Sequence, residues 1–140
     1  MSDADQTRVD MHTKLLVERV VSRAKQRGID VLVYAPHFTR LPQIKAQAAA
    51  YSDSELHVVA AREVFTGDWN NRRHLLAIGL DEPAPDFITF EGAMAEFDRQ
   101  NAAVVVPHPE FMNVSLTHPE IRAHAARIDA VETYCAKLFS

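Results

Sequence analysis

The chain has 140 residues, 47% hydrophobic and 24% charged, the balance of a soluble globular domain with enough mass for a core. Its net charge of −4 argues against non-specific nucleic-acid binding through a broad basic field, though it leaves room for a local basic cleft. No apolar run approaches membrane-spanning length, "MSDADQTR" lacks the apolar stretch of a secretory leader, and the lone Cys135 cannot close an internal disulfide, so the expected home is a reducing cytoplasm.

In chain order, "RVDMHT" (8–13) reads as a short strand. A helix is expected over 14–27, with Leu15, Leu16, Val17, Val20, Val21 and Ala24 as its apolar face, Thr13 as its cap and Gly28 as its stop. "IDVLVYA" (29–35) is a nearly continuous β-branched run, the mark of a strand buried on both faces. "PHFTRLP" is a loop, and 41–51 predicts a second helix with Pro42 in its first turn.

"LHVVAA" (56–61) and "HLLAIGL" (74–80) are the third and fourth strands. The segment "REVFTGDWNNRR" between them is too short for a crossover helix, so a hairpin-like excursion through Gly67, Asp68, Asn70 and Asn71 is expected. Thr89 is placed to cap a helix running to about Asn101, and "AAVVVP" (102–107) is a fifth buried strand. A last helix begins near "THPEIRAHAA", and "IDAVETY" (128–134) is the sixth strand. This alternation predicts an α/β domain with a largely parallel sheet, closed as a barrel or left open. The first strand is followed by "HTKLLVER", which has no glycine, so dinucleotide and P-loop folds drop out.

Seven histidines are present, and their positions matter more than their number. His12 ends the first strand, while His37, Glu63 and His108 lie just beyond the second, third and fifth. In parallel α/β folds these positions converge on the face where active sites form. His74 starts its strand, but a hairpin places that start beside the end of the third. Four imidazoles and a carboxylate suit Zn, Mn or Fe, and paired ions can activate water while clamping a phosphate. His57, His118 and His124 have plainer readings as strand, helix-start and solvent-facing residues. Trp69 reads as a stacking platform or a loop anchor. Arg40, Arg62, Arg72 and Arg73 read as phosphate ligands or solvated charges, and Glu132 as a cleft residue or a structural hydrogen-bond acceptor.

With these residues in view, the chain resembles the PHP (polymerase and histidinol phosphatase) superfamily of metal-dependent phosphoesterases. The likeness runs through "VDMHTK", "RGIDVLVYAPHFTR", "VVAAREVFTG", "RHLLAIGLDEP", "AVVVPHPE" and "IDAVETY", in family order across nearly all of the chain. It implies a distorted (β/α)7 TIM-like barrel carrying one to three Mn, Zn or Fe ions, with His12, His37, Glu63, His74 and His108 at ligand positions. Glu63 and Lys14 are then the expected catalytic groups, and Arg40 and Arg62 the expected substrate contacts.

The family's first motif is His-x-His, whereas this chain has Lys14 at the second position; its ammonium can stand in for a metal's charge or meet a substrate phosphate. Pro36 stands where an acidic residue normally precedes the second histidine, and the late Asp-x-His motif has no counterpart. A complete barrel takes about 200 residues or more. The expectation is therefore one PHP-type domain over 1–140, an incomplete barrel with about six strands, whose open edges a second copy could cover. Its expected activity is hydrolysis of a small phosphate ester, nucleotide or oligonucleotide end by metal-activated water, with nucleic acid not the favoured partner. The alternative is a non-catalytic PHP-like metal- or anion-binding module acting through a partner.

Overall fold

Backbone hydrogen bonding organises residues 6–132, the part of the chain described by the computed structural model, into alternating strands and helices. In chain order these are β1 (Val9–Thr13), α1 (Glu18–Gln26), β2 (Val31–Tyr34), α2 (Leu41–Tyr51), β3 (His57–Thr66), β4 (Arg73–Ile78), α3 (Phe90–Arg99), β5 (Ala103–Val106), α4 (His118–Ala123) and β6 (Ala130–Val131). The strands hydrogen-bond in the order β1-β2-β3-β4-β5-β6. The chain divides into two compact units, Met1–Ala61 and Arg62–Ser140, with the boundary inside β3. The last residues of the expected sixth strand, and Cys135, lie outside the described residues.

The sheet is mixed, mostly parallel as expected, with its departure at β4. β1 pairs parallel with β2, β2 with β3, and β5 with β6, but β4 runs antiparallel to β5. The cause is the 67–72 connection, too short to carry the chain back for a parallel β4.

In the first unit, Leu16, Val21, Ala24, Leu32, Tyr34, Ile44, Ala48, Leu56 and Val58 form one apolar cluster. Helix α1 begins four residues later than periodicity suggested, and Val17 rather than Thr13 occupies its N-cap. Thr13 is still in β1, in register with Tyr34, and its Oγ1 donates to the Leu15 carbonyl at 3.2 Å. Strand pairing therefore claims the residue that local capping preference would have used, leaving Leu15 and Val17 exposed in the turn. Helix α2 matches its expected bounds, with Pro42 in the first turn where its missing N–H costs nothing.

In the second unit, β3 runs to Thr66, five residues past its expected end. The Phe65 carbonyl accepts from the Phe87 amide at 2.6 Å and the Gly67 amide donates to the Ile88 carbonyl at 2.6 Å, so the loop before α3 supplies pairing that no local pattern announces. Asp68 holds the hairpin turn by accepting from the Asn70 and Asn71 amides, each at 2.9 Å. Gly67 is required there: its φ is +80°, and a Cβ would sit 2.8 Å from the Asn71 carbonyl oxygen. Thr89 caps α3 by accepting from the Gly92 amide, and Thr117 and Glu120 form a reciprocal capping box on α4. Phe97, Leu75, Leu76 and Leu116 are fully buried, each burial worth about 2 kcal/mol of apolar transfer.

Candidate metal centre

Three elements of the second unit bring ligand-type side chains together. Glu63 lies in the middle of β3 and is fully buried. His74 is the second residue of β4; its amide donates to the Val114 carbonyl at 2.9 Å, and its ring stacks on Phe65 with centroids 3.9 Å apart and planes parallel. His108 follows β5 by two residues and is also fully buried. Its φ of +27° lies in a region seldom used by non-glycine residues, the kind of local strain that surrounding structure must impose. The Glu132 carboxylate accepts from the His108 amide at 3.3 Å, and the Phe111 ring meets its imidazole edge-on.

A nitrogen of each imidazole lies close to one carboxylate oxygen. Glu63 Oε1 lies 2.8 Å from His74 Nδ1 and 3.2 Å from His108 Nε2. The far nitrogen of His108, Nδ1, lies 2.5 Å from the buried Ser115 hydroxyl, which fixes the ring's orientation and leaves Nε2 directed at Glu63. A carboxylate with no solvent contact carries a desolvation cost of several kcal/mol unless positive charge stands beside it. A protonated imidazole or a divalent ion can supply that charge. Each nitrogen stands 2.8 or 3.2 Å from the Glu63 oxygen, the order of separation that an imidazole nitrogen and a carboxylate oxygen adopt when both bond one ion at about 2.0–2.2 Å. The same N/O composition suits borderline metals such as Zn, Mn or Fe.

Arg62, expected on a substrate-facing rim, is buried with its guanidinium bound in bidentate fashion by Asp86 and its NH1 donating to the Glu63 carbonyl at 2.5 Å. Asp86 also accepts from the Phe65 amide at 2.9 Å, so this ion pair fixes the backbone on both sides of the Glu63 side chain. In the first unit, His12 is the penultimate residue of β1, half-buried, and its amide donates to Asp10 Oδ1 at 3.0 Å. Lys14 and His37 are also half-buried, and Thr39 Oγ1 donates to the His37 carbonyl at 2.9 Å. Arg40 is exposed at the N-cap of α2. His57 and His118 take their plainer readings, on an exposed strand position and an exposed helix start, whereas His124, expected to face solvent, is a half-buried C-cap with its ring 4.6 Å from that of Phe90. Trp69 is 59% exposed, with the Arg72 guanidinium 4.1 Å above its ring and the Phe87 ring 6.1 Å away, contacts that suit a loop anchor.

Sequence reasoning missed Ser115, Asp86 and Phe65. Nothing in "NVSLTHPE" or "DEPAPDF" marks the serine or the aspartate as part of a site, because their partners are 7 and 24 residues away. Phe65 was legible only as an apolar residue in a loop.

The chain matches no protein-family model and no curated protein. Its fold is that of a solved chain from Bifidobacterium adolescentis, itself a proposed metal-dependent phosphoesterase, with a TM-score of 0.65 at 12% identity over 91% of this chain and 77% of that one. This likeness establishes an α/β fold with a six-stranded mixed sheet. Among the described residues, no helix is long and apolar enough to cross a membrane.

Proposed function

We propose that this chain is a metal-dependent phosphoesterase of PHP type, in which both compact units serve one domain over 1–140. The observation that carries the reading is the buried Glu63 carboxylate with a His74 and a His108 nitrogen 2.8 and 3.2 Å from one of its oxygens. The fold shared with a proposed phosphoesterase supports it, as does the motif order read in the sequence. In this reading His12, His37, Glu63, His74 and His108 are the metal ligands. When bound, one to three Mn, Zn or Fe ions supply Lewis-acid stabilisation of a phosphoryl group's developing charge.

The chain's own groups have separate tasks. Glu63 ligates or bridges, and Ser115 holds the His108 ring. Lys14 carries a fixed cation toward the substrate phosphate or replaces a metal's charge, and Arg40 contacts the phosphate from its exposed position. Arg62 acts through position, by holding the β3 backbone against Asp86. The substrate class is a small phosphate ester or a nucleotide, handled in the cytoplasm, within a partial barrel. Val9 and Met11, exposed on β1, offer an edge for a second copy.

A second reading has Lys14 as its support: with a lysine replacing the second histidine of the first motif, the site becomes a metal- or anion-binding module without turnover. One experiment separates the readings. Untagged protein is analysed for metal content and then assayed with bis(4-nitrophenyl) phosphate and 4-nitrophenyl phosphate in Mn2+, beside the Glu63→Gln variant. Bound metal and turnover, both lost in the variant, are expected. Metal without turnover on either ester favours the module, and absence of metal after reconstitution sinks the phosphoesterase reading and leaves an anion-binding module.

A further inference from the structure

The first unit holds a cavity of about 400 Å³, lined by Asp10 and Thr13 of β1, Leu32 of β2, Ile29, and one face of α1 with its C-cap. Its cations are Arg19, Arg23 and Arg27, spaced four residues apart and so stacked along a single helix face. Its apolar wall is formed by Val20, Ala24, Ile29 and Leu32. Among the described residues, no carboxylate pairs with any of the three guanidiniums.

Helix stability does not account for this column. Like charges at i,i+4 each cost about 0.2–0.5 kcal/mol, and the column contains two such pairs. The helix dipole favours cations in the last turn, where Arg23 and Arg27 lie, but Arg19 is in the first turn, at the positive end. Three guanidiniums against one carboxylate leave the cavity with a surplus of two positive charges. The Asp10 carboxylate is already engaged, since its Oδ1 accepts from the His12 amide.

We infer that this cavity is an anion-binding site for a small organic dianion, a phosphate or phosphonate monoester with an apolar substituent. The guanidiniums take the phosphoryl oxygens through paired N–H donors, and Val20, Ala24, Ile29 and Leu32 take the substituent. The inference does not rest on the metal-centre reading, because every residue it uses lies in the first unit.

The test is calorimetric titration of the intact chain with phenylphosphonate, a dianion with no ester bond to hydrolyse, in the presence of EDTA. Saturable binding is expected in wild type, weakened roughly tenfold in Arg23→Gln and again in Arg27→Gln, and unchanged in Glu63→Gln. Methylphosphonate, which lacks the apolar group, is expected to bind more weakly. Because all three arginines are exposed, the variants are expected to melt like wild type, which circular dichroism verifies. Absence of saturable binding in the millimolar range overturns the assignment. So does binding that survives both arginine substitutions, binding lost in Glu63→Gln, or equal affinity for the two phosphonates.

Discussion

Ser115 Oγ lies 2.5 Å from His108 Nδ1, and through that contact a serine in an irregular loop decides which ring nitrogen faces Glu63. Without it, the imidazole could rotate or change tautomer, and the 3.2 Å approach of Nε2 to the carboxylate would lose its definition. Ser115→Ala is expected to weaken metal affinity about 10–100-fold while the fold persists. A competition titration with a chromophoric chelator measures the first, and a thermal melt in EDTA verifies the second. Unchanged affinity would remove Ser115 from the centre.

Glu63→Gln separates the metal role from stability. The substitution keeps the shape and removes a buried charge, so the metal-free variant is expected to melt no lower than metal-free wild type. Added Mn2+ is expected to stabilise wild type, by about 3 kcal/mol at a hundredfold excess over Kd, and to leave the variant's Tm unchanged. Thermal melts with and without the ion read both effects, and a Mn2+-dependent rise surviving in the variant would rule out Glu63 as a ligand.

Asp86→Asn attacks the ion pair behind the site. It leaves the buried Arg62 guanidinium short of its compensating charge and weakens the acceptor of the Phe65 amide. A loss of about 3–5 kcal/mol is expected, readable in urea denaturation. A loss under 1 kcal/mol would mean that the pair contributes little to holding β3.

Thr117→Ala removes the capping box of α4 and is expected to cost about 1 kcal/mol. The comparison variant Thr117→Ser keeps the hydroxyl and should recover most of the loss in the same denaturation experiment. Equal destabilisation by both would assign the cost to the lost methyl group rather than the cap.

At acid pH, Glu96 gives a signed prediction. Hydrogen bonds from Arg99 and Gln100 hold its carboxyl down to about 2, against an ordinary 4.5. Because the folded value is the lower one, the contribution is complete above pH 4.5 and lost as pH falls toward 2. Arg99→Gln should therefore lower Tm at neutral pH, by a small amount at so exposed a site, with the gap closing in acid. A gap independent of pH would contradict the assignment.

Much of the fold could be read before the structure. The buried runs around Val31–Tyr34 and Ala103–Val106, the helix over Leu41–Tyr51 and the Thr89 cap all follow from patterns confined to a few neighbouring residues. The same holds for the hairpin between β3 and β4, which the shortness of their connection required. The start of α1 was misread because Thr13 satisfies two local rules at once, and only its pairing partner Tyr34, 21 residues away, decides between them.

By itself the sequence determined the order of strands and helices and the identity of Glu63, His74 and His108 as ligand types, because period, propensity and donor chemistry are properties of local residues. Tertiary structure alone decided that two imidazoles meet one oxygen of Glu63, that Ser115 sets the ring of His108, and that Arg62 is consumed by Asp86. Those facts depend on approaches of 2.5–3.3 Å between side chains, several of them tens of residues apart. Such approaches are set by strand register and loop path, which a linear pattern does not encode.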